Sequence, residues 1–332
     1  MTTFFKSLGA EYVFDTSFSR DFSLLEMCYE FIDHYNSKNL PILSSSCPGF
    51  ICYAEKTTPE ILPNISKVKS PQQIMGTLVK RYFASKTNLK SSEIYHVSIM
   101  PCYDKKLEAS REDFILNDIN EVDCVLTSSE IFSLFEEKKI KFNELTNTKP
   151  DKIFNNLNED GNFLGISGGS GGYLETIFKF ASKELFNIDV KEIIYKIGRN
   201  KDYKETSLII NDKKVLTFCQ AYGFRNLQNI VKKMKRKIQF DFCEIMACPS
   251  GCVNGGGQVK NPISIKPKDH LQNVENLYET FVYQNPFYNK NVEEIYKEFV
   301  KDKIYSISSK EFFHTQYHKR EKININPLQI KW

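Results

Sequence analysis

Cys248-Pro249-Ser250-Gly251-Cys252, followed past Val253 by Asn254-Gly255-Gly256-Gly257-Gln258, carries more information than any other part of the chain. Two thiols with three residues between them, beside three consecutive glycines, describe a bulky anionic inorganic guest. The spacing lets both sulfurs face one side of a tight turn. The glycines have no Cβ, so backbone amides can approach the guest and donate to it. Zinc sites more often separate their cysteines by two residues and pair one short motif with a second. The other cysteines here are solitary and distant, which suits an iron–sulfur cube that gathers ligands from several loops. A buried cysteine pair in a glycine-rich turn is the plainer alternative.

Outward from this run, strands and helices alternate. Residues 242–247 read as a strand leading directly into Cys248. Residues 94–100 and 123–127 are apolar, β-branched runs of strand length, and residues 40–43 read as a further strand. Residues 192–199 and 207–219 read as strands, the latter folded back at Asn211-Asp212. Ser128 or Ser129 is expected to cap a helix to about Lys139, with Glu130 in its first turn. Gly168-Gly169-Ser170-Gly171-Gly172 opens a helix over 173–186, whose apolar residues recur at three- and four-residue intervals. That loop can present amides to an anion, but it lacks the Lys-Ser/Thr ending of a phosphate-cradling loop. Residues 224–237 are expected to be helical. Beyond the linkers around Pro262 and Pro267, helices are expected over 270–281 and 292–300. The alternation argues for α/β lobes with largely parallel sheets, whose functional loops belong at the carboxyl ends of the strands.

That rule sorts the nine cysteines. Cys47 follows the strand over 40–43, Cys102 follows the strand ending at Met100, and Cys248 follows the strand over 242–247. Three strand-end loops thus deliver Cys47, Cys102, Cys248 and Cys252, four thiolates for one cube. Cys28, Cys52, Cys124, Cys219 and Cys243 lack that context. Cys124 and Cys219 lie in strand runs and Cys28 in a helical run, where they read as small core residues.

Composition bounds the rest. A chain of 332 residues, 41% hydrophobic and 13% aromatic, can bury a core in one large or two medium domains. Lysine and arginine total 45 against 41 acidic residues, and a net charge of +4 argues against dedicated nucleic-acid binding. The basic run Lys232-Lys233-Met234-Lys235-Arg236-Lys237 reads as the solvated end of a helix. No apolar targeting core opens the chain, and no run of about eighteen apolar residues suggests a membrane span. Nine cysteines without a secretion signal imply thiolate chemistry in a reducing compartment, the cytosol with nuclear access, and not a disulfide framework.

At these residues the chain resembles iron-only hydrogenases. It is still more similar to their Nar-type relatives in cytosolic iron–sulfur protein assembly (CIA), kin to nuclear prelamin A recognition factor (the NARF family). The blocks 46–57, 100–111 and 244–258 carry the resemblance. Ser70-Pro71-Gln72-Gln73, Ala221-Tyr222-Gly223-Phe224-Arg225-Asn226 and His314-Thr315-Gln316-Tyr317-His318 agree with it. It covers residues 10 to 332. It implies a two-lobed hydrogenase-like α/β fold over 1–262, split near residue 100, and a helical small-subunit-like segment over 263–332. It implies one [4Fe–4S] cluster on Cys47, Cys102, Cys248 and Cys252. It implies an assembly factor, not an enzyme, that bridges upstream scaffold proteins and the WD40-containing targeting complex, with no nucleic acid and no membrane among its partners. A hydrogenase or other redox enzyme, and a prelamin-binding nuclear module, are the alternatives.

Hydrogenases carry a cysteine at the position of Ser46 and a glutamate at that of Met27, both in the proton relay to a di-iron unit. Glu30 and Ser66 keep the family's residue types, and Lys105 is retained. A relay with two of four links replaced is not expected to conduct. Assembly-family members also carry an N-terminal segment whose four cysteines hold a second cluster. The first cysteine here is Cys28, so the expectation is that this segment is missing from the sequence and not lost in the lineage. At the other end, Ile330, Lys331 and Trp332 partly match a family tripeptide that docks on the targeting complex, the indole supplying buried area to a partner pocket.

Overall fold

The computed structural model describes residues 1–166, 168–237, 239–259 and 265–321. Its main sheet has five strands in the order Ile42–Ser44, Phe242–Met246, Lys213–Tyr222, Tyr203–Ile210, Lys196–Ile197. The first three are parallel; the last two join by antiparallel pairing. All of Phe242–Met246 is buried, as a strand covered on both faces must be. Alternate side chains feed two cores. Ile42, Phe218 and Phe242 meet Leu174, Phe178 and the Thr16–Asn36 helix on one face. Leu43, Cys219 and Cys243 meet Phe50, Leu227 and Ile230 on the other. Phe218 and Phe242 stack at 4.8 Å between centroids, adding a ring–ring contact to simple area burial.

The fold-back at Asn211-Asp212 is a two-residue hairpin turn. Both residues have positive φ, 49° and 61°, a conformation that Asn and Asp tolerate and that matches the strand twist. The hairpin strands run longer than expected, and they extend the parallel part of the sheet by antiparallel pairing. The strand expected over 192–199 shrinks to Lys196–Ile197, both exposed at the sheet edge. Edges are kept short because their unpaired amides would recruit other chains.

A second, two-stranded parallel sheet joins Val97–Met100 to Cys124–Thr127, with Met100 opposite Thr127. The helix Ser128–Glu137 follows, but its cap is Thr127, not Ser128 or Ser129. Thr127 Oγ1 accepts from the Glu130 amide at 3.3 Å, and Glu130 Oε2 accepts from the Thr127 amide at 2.7 Å. Ser128 already has helical backbone, so the last strand residue closes this capping box. The helices Tyr173–Phe186 and Phe224–Lys235 lie where the apolar spacing puts them.

The C-terminal helices differ modestly from expectation: Pro267–Glu279, then Lys290–Ile295 continuing as a π-helical turn through Val300, then Ile307–Phe313. They are built into the main core. Val292, Ile295, Tyr296, Val300 and Phe313 share one hydrophobic cluster with Phe22 and Phe31. Buried Glu26 receives the Tyr296 hydroxyl at 2.6 Å, the Tyr305 amide at 3.1 Å and the Ser309 hydroxyl at 3.3 Å, and His314 Nε2 lies 3.0 Å away. Asp21, pushed up to about 6 by burial, accepts from Asn156 and Asn289. Phe313 is fully enclosed, its ring 5.2 Å from Phe22 and 5.8 Å from Tyr296. Phe313→Ala is therefore expected to cost about 3–5 kcal/mol of global stability. Chemical denaturation checks this; a loss below about 1 kcal/mol would mean the segment is not part of the core.

Candidate metal centre

Each cysteine chosen from a strand end occupies such a position. Cys47 follows Ile42–Ser44 and forms the N-cap of the helix Pro48–Thr57. Ser45 fixes this loop: its hydroxyl accepts from the Cys47 amide at 3.1 Å and donates to the Ile245 carbonyl at 2.6 Å. Cys102 lies between Val97–Met100 and the helix Asp104–Ala109. Cys248 leaves Phe242–Met246, and Cys252 sits in the short Gly251–Asn254 helix. Between them Ser250 and Gly251 have φ of 58° and 75°. The Ser250 amide donates to Asp202 at 3.0 Å, which holds this left-handed corner.

Electrostatics show which thiols meet. Burial first, then the neighbouring Cys47, push the Cys248 thiol up, and push the Cys252 thiol up to about 12. The Cys102 thiol is also raised, by burial, with Cys47 acting on it in the same direction. Cys47 thus lies within electrostatic reach of all three. Opposing groups favour the thiolates: Lys105 beside Cys102 and Cys252, its backbone amide on the Cys102 sulfur, and the Gly256 amide on the Cys248 sulfur. Left alone, Cys102, Cys248 and Cys252 hold their protons. Cations with strong affinity for sulfur displace them, so that metal binding releases protons.

Among the described residues, no group of three or more His, Cys, Asp or Glu side chains stands close enough to hold one metal ion. Ligands of a single zinc ion converge to about 2.3 Å from one centre, whereas a cubane takes one thiolate at each of four separate irons. The glycine run lines the remaining space. A Cβ on Gly255 would collide with the Pro101 carbonyl, and one on Gly257 would lie 2.7 Å from Thr127 Cγ2, but at Gly256 nothing lies within 4 Å. The Gly257 amide donates to Pro101 at 2.9 Å, and the Gly257 carbonyl accepts from Ser129 at 2.9 Å. Four thiols, three of them within electrostatic reach of Cys47, with the Gly256 amide on one sulfur and a buried lysine beside two, are a donor set whose chemistry fits a cubane cluster.

Cavity size is no guide to this site. A cavity of about 590 Å³ lies between the first residues of the chain, Val79, Phe83 and Val97–Met100, and none of the four cysteines lines it.

Comparison with known proteins agrees with the geometry. The family described as iron only hydrogenase large subunit, C-terminal domain, matches residues 1–256. A probable cytosolic Fe-S cluster assembly factor narfl of Dictyostelium discoideum is 50% identical over 383 residues, covering 100% of this chain and 73% of that protein. Protein NAR1 of Arabidopsis thaliana is 43% identical, covering 96% of this chain and 72% of its own length. The chain belongs to the Nar-type, iron-only-hydrogenase-like family. Among solved structures, the apo [FeFe]-hydrogenase HydA1 of Chlamydomonas reinhardtii superposes with a TM-score of 0.83 at 26% identity, covering 95% of this chain and 86% of that one.

Within this Nar-type protein Met27, Glu30, Ser46 and Ser66 are each engaged by neighbouring groups. Met27 accepts a hydrogen bond from Ser44 at 2.8 Å and has no proton to pass on. Glu30 is occupied by the Ser66 hydroxyl and by the Lys67 amide at 3.0 Å. Ser46 lies beside the Tyr173 phenol. Cys28, Cys219 and Cys243 are core residues, the last two opposite one another in adjacent strands. Cys52 and Cys124 are half-buried, so the core reading of Cys124 holds only in part. Ile330, Lys331 and Trp332 lie outside the described residues.

A buried acid beside the cysteines had escaped sequence reasoning. Glu244 is fully enclosed and pushed up to about 8 by burial; it accepts from the Tyr222 hydroxyl at 2.5 Å and the Leu174 amide at 2.8 Å. The available signal was a lone carboxylate inside the otherwise apolar strand Phe242–Met246.

The glycine run gives a direct test of the close approach between loops. Gly255→Ala and Gly257→Ala are each expected to cost about 1–3 kcal/mol through overpacking, whereas Gly256→Ala should change stability by less than about 0.5 kcal/mol. Denaturation of the three variants side by side checks the ranking, and equal behaviour at all three would remove this constraint.

Proposed function

We propose that this protein is a component of cytosolic iron–sulfur protein assembly that holds one [4Fe–4S] cluster on Cys47, Cys102, Cys248 and Cys252. The observation that supports the reading is that three strand-end loops carry four thiols within electrostatic reach of Cys47. The names of the relatives in Dictyostelium discoideum and Xenopus tropicalis, cytosolic Fe-S cluster assembly factors, support it. When bound, such a cluster supplies a one-electron redox centre. The protein's residues orient the ligands through Ser45 and the Gly256 amide, offset negative charge with Lys105, and cover the site with the 255–257 run.

Turnover as a hydrogenase is not proposed, because Met27 cannot relay a proton. The proposed role is instead to bridge early scaffold proteins and the late targeting complex, in the cytosol with reach into the nucleus. No described helix is long and apolar enough to cross a membrane. As domain organisation we propose a hydrogenase-like body over 1–262, with lobes divided near residue 100, and a helical small-subunit-like segment over 263–332. Ile330, Lys331 and Trp332 are proposed as the docking peptide for the targeting complex.

Anaerobic reconstitution should yield about four irons per chain. Cys102→Ala and Cys252→Ala should each lose most of that iron, whereas Cys28→Ala and Cys219→Ala should retain it. Iron analysis and the cluster's visible absorbance provide the measurement; wild-type iron in Cys252→Ala would overturn the ligand set.

Deleting Trp332 should weaken capture by the targeting complex by about 2 kcal/mol, some thirtyfold, with iron content and melting temperature unchanged. A pull-down and a melting curve on the same variant decide between docking and packing, since an indole packed on its own protein would lower the melting temperature and leave capture intact.

A further inference from the structure

We infer that Ser170 is a positioning residue for Cys252, and that its hydroxyl tunes the corner of the cluster which Cys252 would hold. This rests on the cluster reading above. The 168–172 glycine loop is thereby given a task that needs neither nucleotide nor phosphate.

The loop opens the helix Tyr173–Phe186, and Ser170 stands in it with a left-handed φ of 52°. That conformation brings its hydroxyl against the 248–252 turn. The Cys252 amide donates to Ser170 Oγ at 2.9 Å, although 82 residues separate them. A Cβ on Gly251 would collide with the same oxygen, so the contact requires glycine there. The hydroxyl's one proton acts toward two acceptors, the Cys252 sulfur and the Tyr222 phenol oxygen, lowering the proton affinity of each.

Tyr222 is itself held. Its hydroxyl bonds Glu244 Oε1 at 2.5 Å and lies 3.2 Å from the Gly169 carbonyl, so the phenol ties the glycine loop to the central strand. Glu244 Oε2 accepts from the Leu174 amide at 2.8 Å, closing the ring at the start of the helix. With the Tyr222 proton committed to Glu244, the phenol oxygen is free to accept. The Ser170 proton therefore lies between a neutral oxygen and a sulfur whose charge depends on the cluster. Greater negative charge on the sulfur draws the hydrogen bond to itself. No proton leaves Ser170; only the direction of its hydrogen bond changes. Hydrogen bonds to ligating sulfurs raise a cluster's reduction potential, because they stabilise the more negative reduced state.

The test is a redox titration of the reconstituted full chain, one electron per cluster supplied by dithionite and followed by electron paramagnetic resonance, with iron analysis on each sample. Ser170→Ala should keep the cluster and move its midpoint to a more negative potential. Ser170→Thr, which keeps the hydroxyl, should restore the wild-type value. Tyr222→Phe, which removes the competing oxygen and leaves the sulfur as the hydroxyl's acceptor, should shift the midpoint the opposite way from Ser170→Ala, to a less negative potential. A Ser170→Ala protein with full iron and a wild-type midpoint would overturn the inference, and so would equal shifts in the Ala and Thr variants. If Ser170→Ala loses its iron, retention by Ser170→Thr still assigns the effect to the hydroxyl, whereas loss by both assigns it to loop shape and overturns the inference. A wild-type chain that binds no iron would instead overturn the cluster reading itself.

Discussion

The strand Phe242–Met246 is the part of this molecule with least freedom, and the metal centre hangs from its end. It is hydrogen-bonded along both edges and covered on both faces. A slip of one residue would exchange Phe242 and Cys243 between two differently shaped cores, so its register is strongly specified. Cys248 follows two residues beyond the strand. Ser45 ties the Cys47 loop to the Ile245 carbonyl, and the Gly223 amide bonds Met246 at 2.9 Å. The two neighbouring strand ends are thus aligned with the same fixed point before any ligand is considered.

What converges there is chemically unfavourable on its own. Burial and mutual proximity raise the proton affinity of Cys102, Cys248 and Cys252. A site of this kind favours whatever compensates negative charge, which links metal binding to the stability of the surrounding loops. Next to the sulfurs the protein places Lys105, backbone amides and the Ser170 hydroxyl. The lysine is buried and engages Glu108 at 2.9 Å, so its charge is shared between a carboxylate and the thiols. Further in lies Glu244, whose carboxyl is bonded by Tyr222 and the Leu174 amide and whose ionisation burial disfavours. A carboxyl kept from ionising behind the cysteines adds little negative charge to that of the thiolates.

The divergence from hydrogenases can be expressed in the same terms. The fold and the strand-end loops are shared with a solved [FeFe]-hydrogenase at a TM-score of 0.83. At Met27 the thioether accepts from Ser44 and is packed in the core, so the shared scaffold holds a side chain there that carries no ionisable proton.

Much of the local structure was legible in the residues. The hairpin at Asn211-Asp212 follows from side chains that tolerate positive φ, the helix Tyr173–Phe186 from its apolar spacing, and the strand-end positions of Cys47, Cys102 and Cys248 from β-branched runs that stop just before them. Local signals failed where the deciding partner was distant. The strand over 192–199 shortened because it fell at a sheet edge, and Thr127 became a cap because the strand before it ends there. By itself the sequence determined the cysteine–glycine spacing, the alternation of elements and the chemistry of the turns, all of which act over a few residues. Only the tertiary structure decided that Ser170 would reach Cys252 across 82 residues and that His314 would lie against Glu26 across 288. Such contacts arise when independently formed elements pack, and neither partner carries a mark of the other in its own neighbourhood.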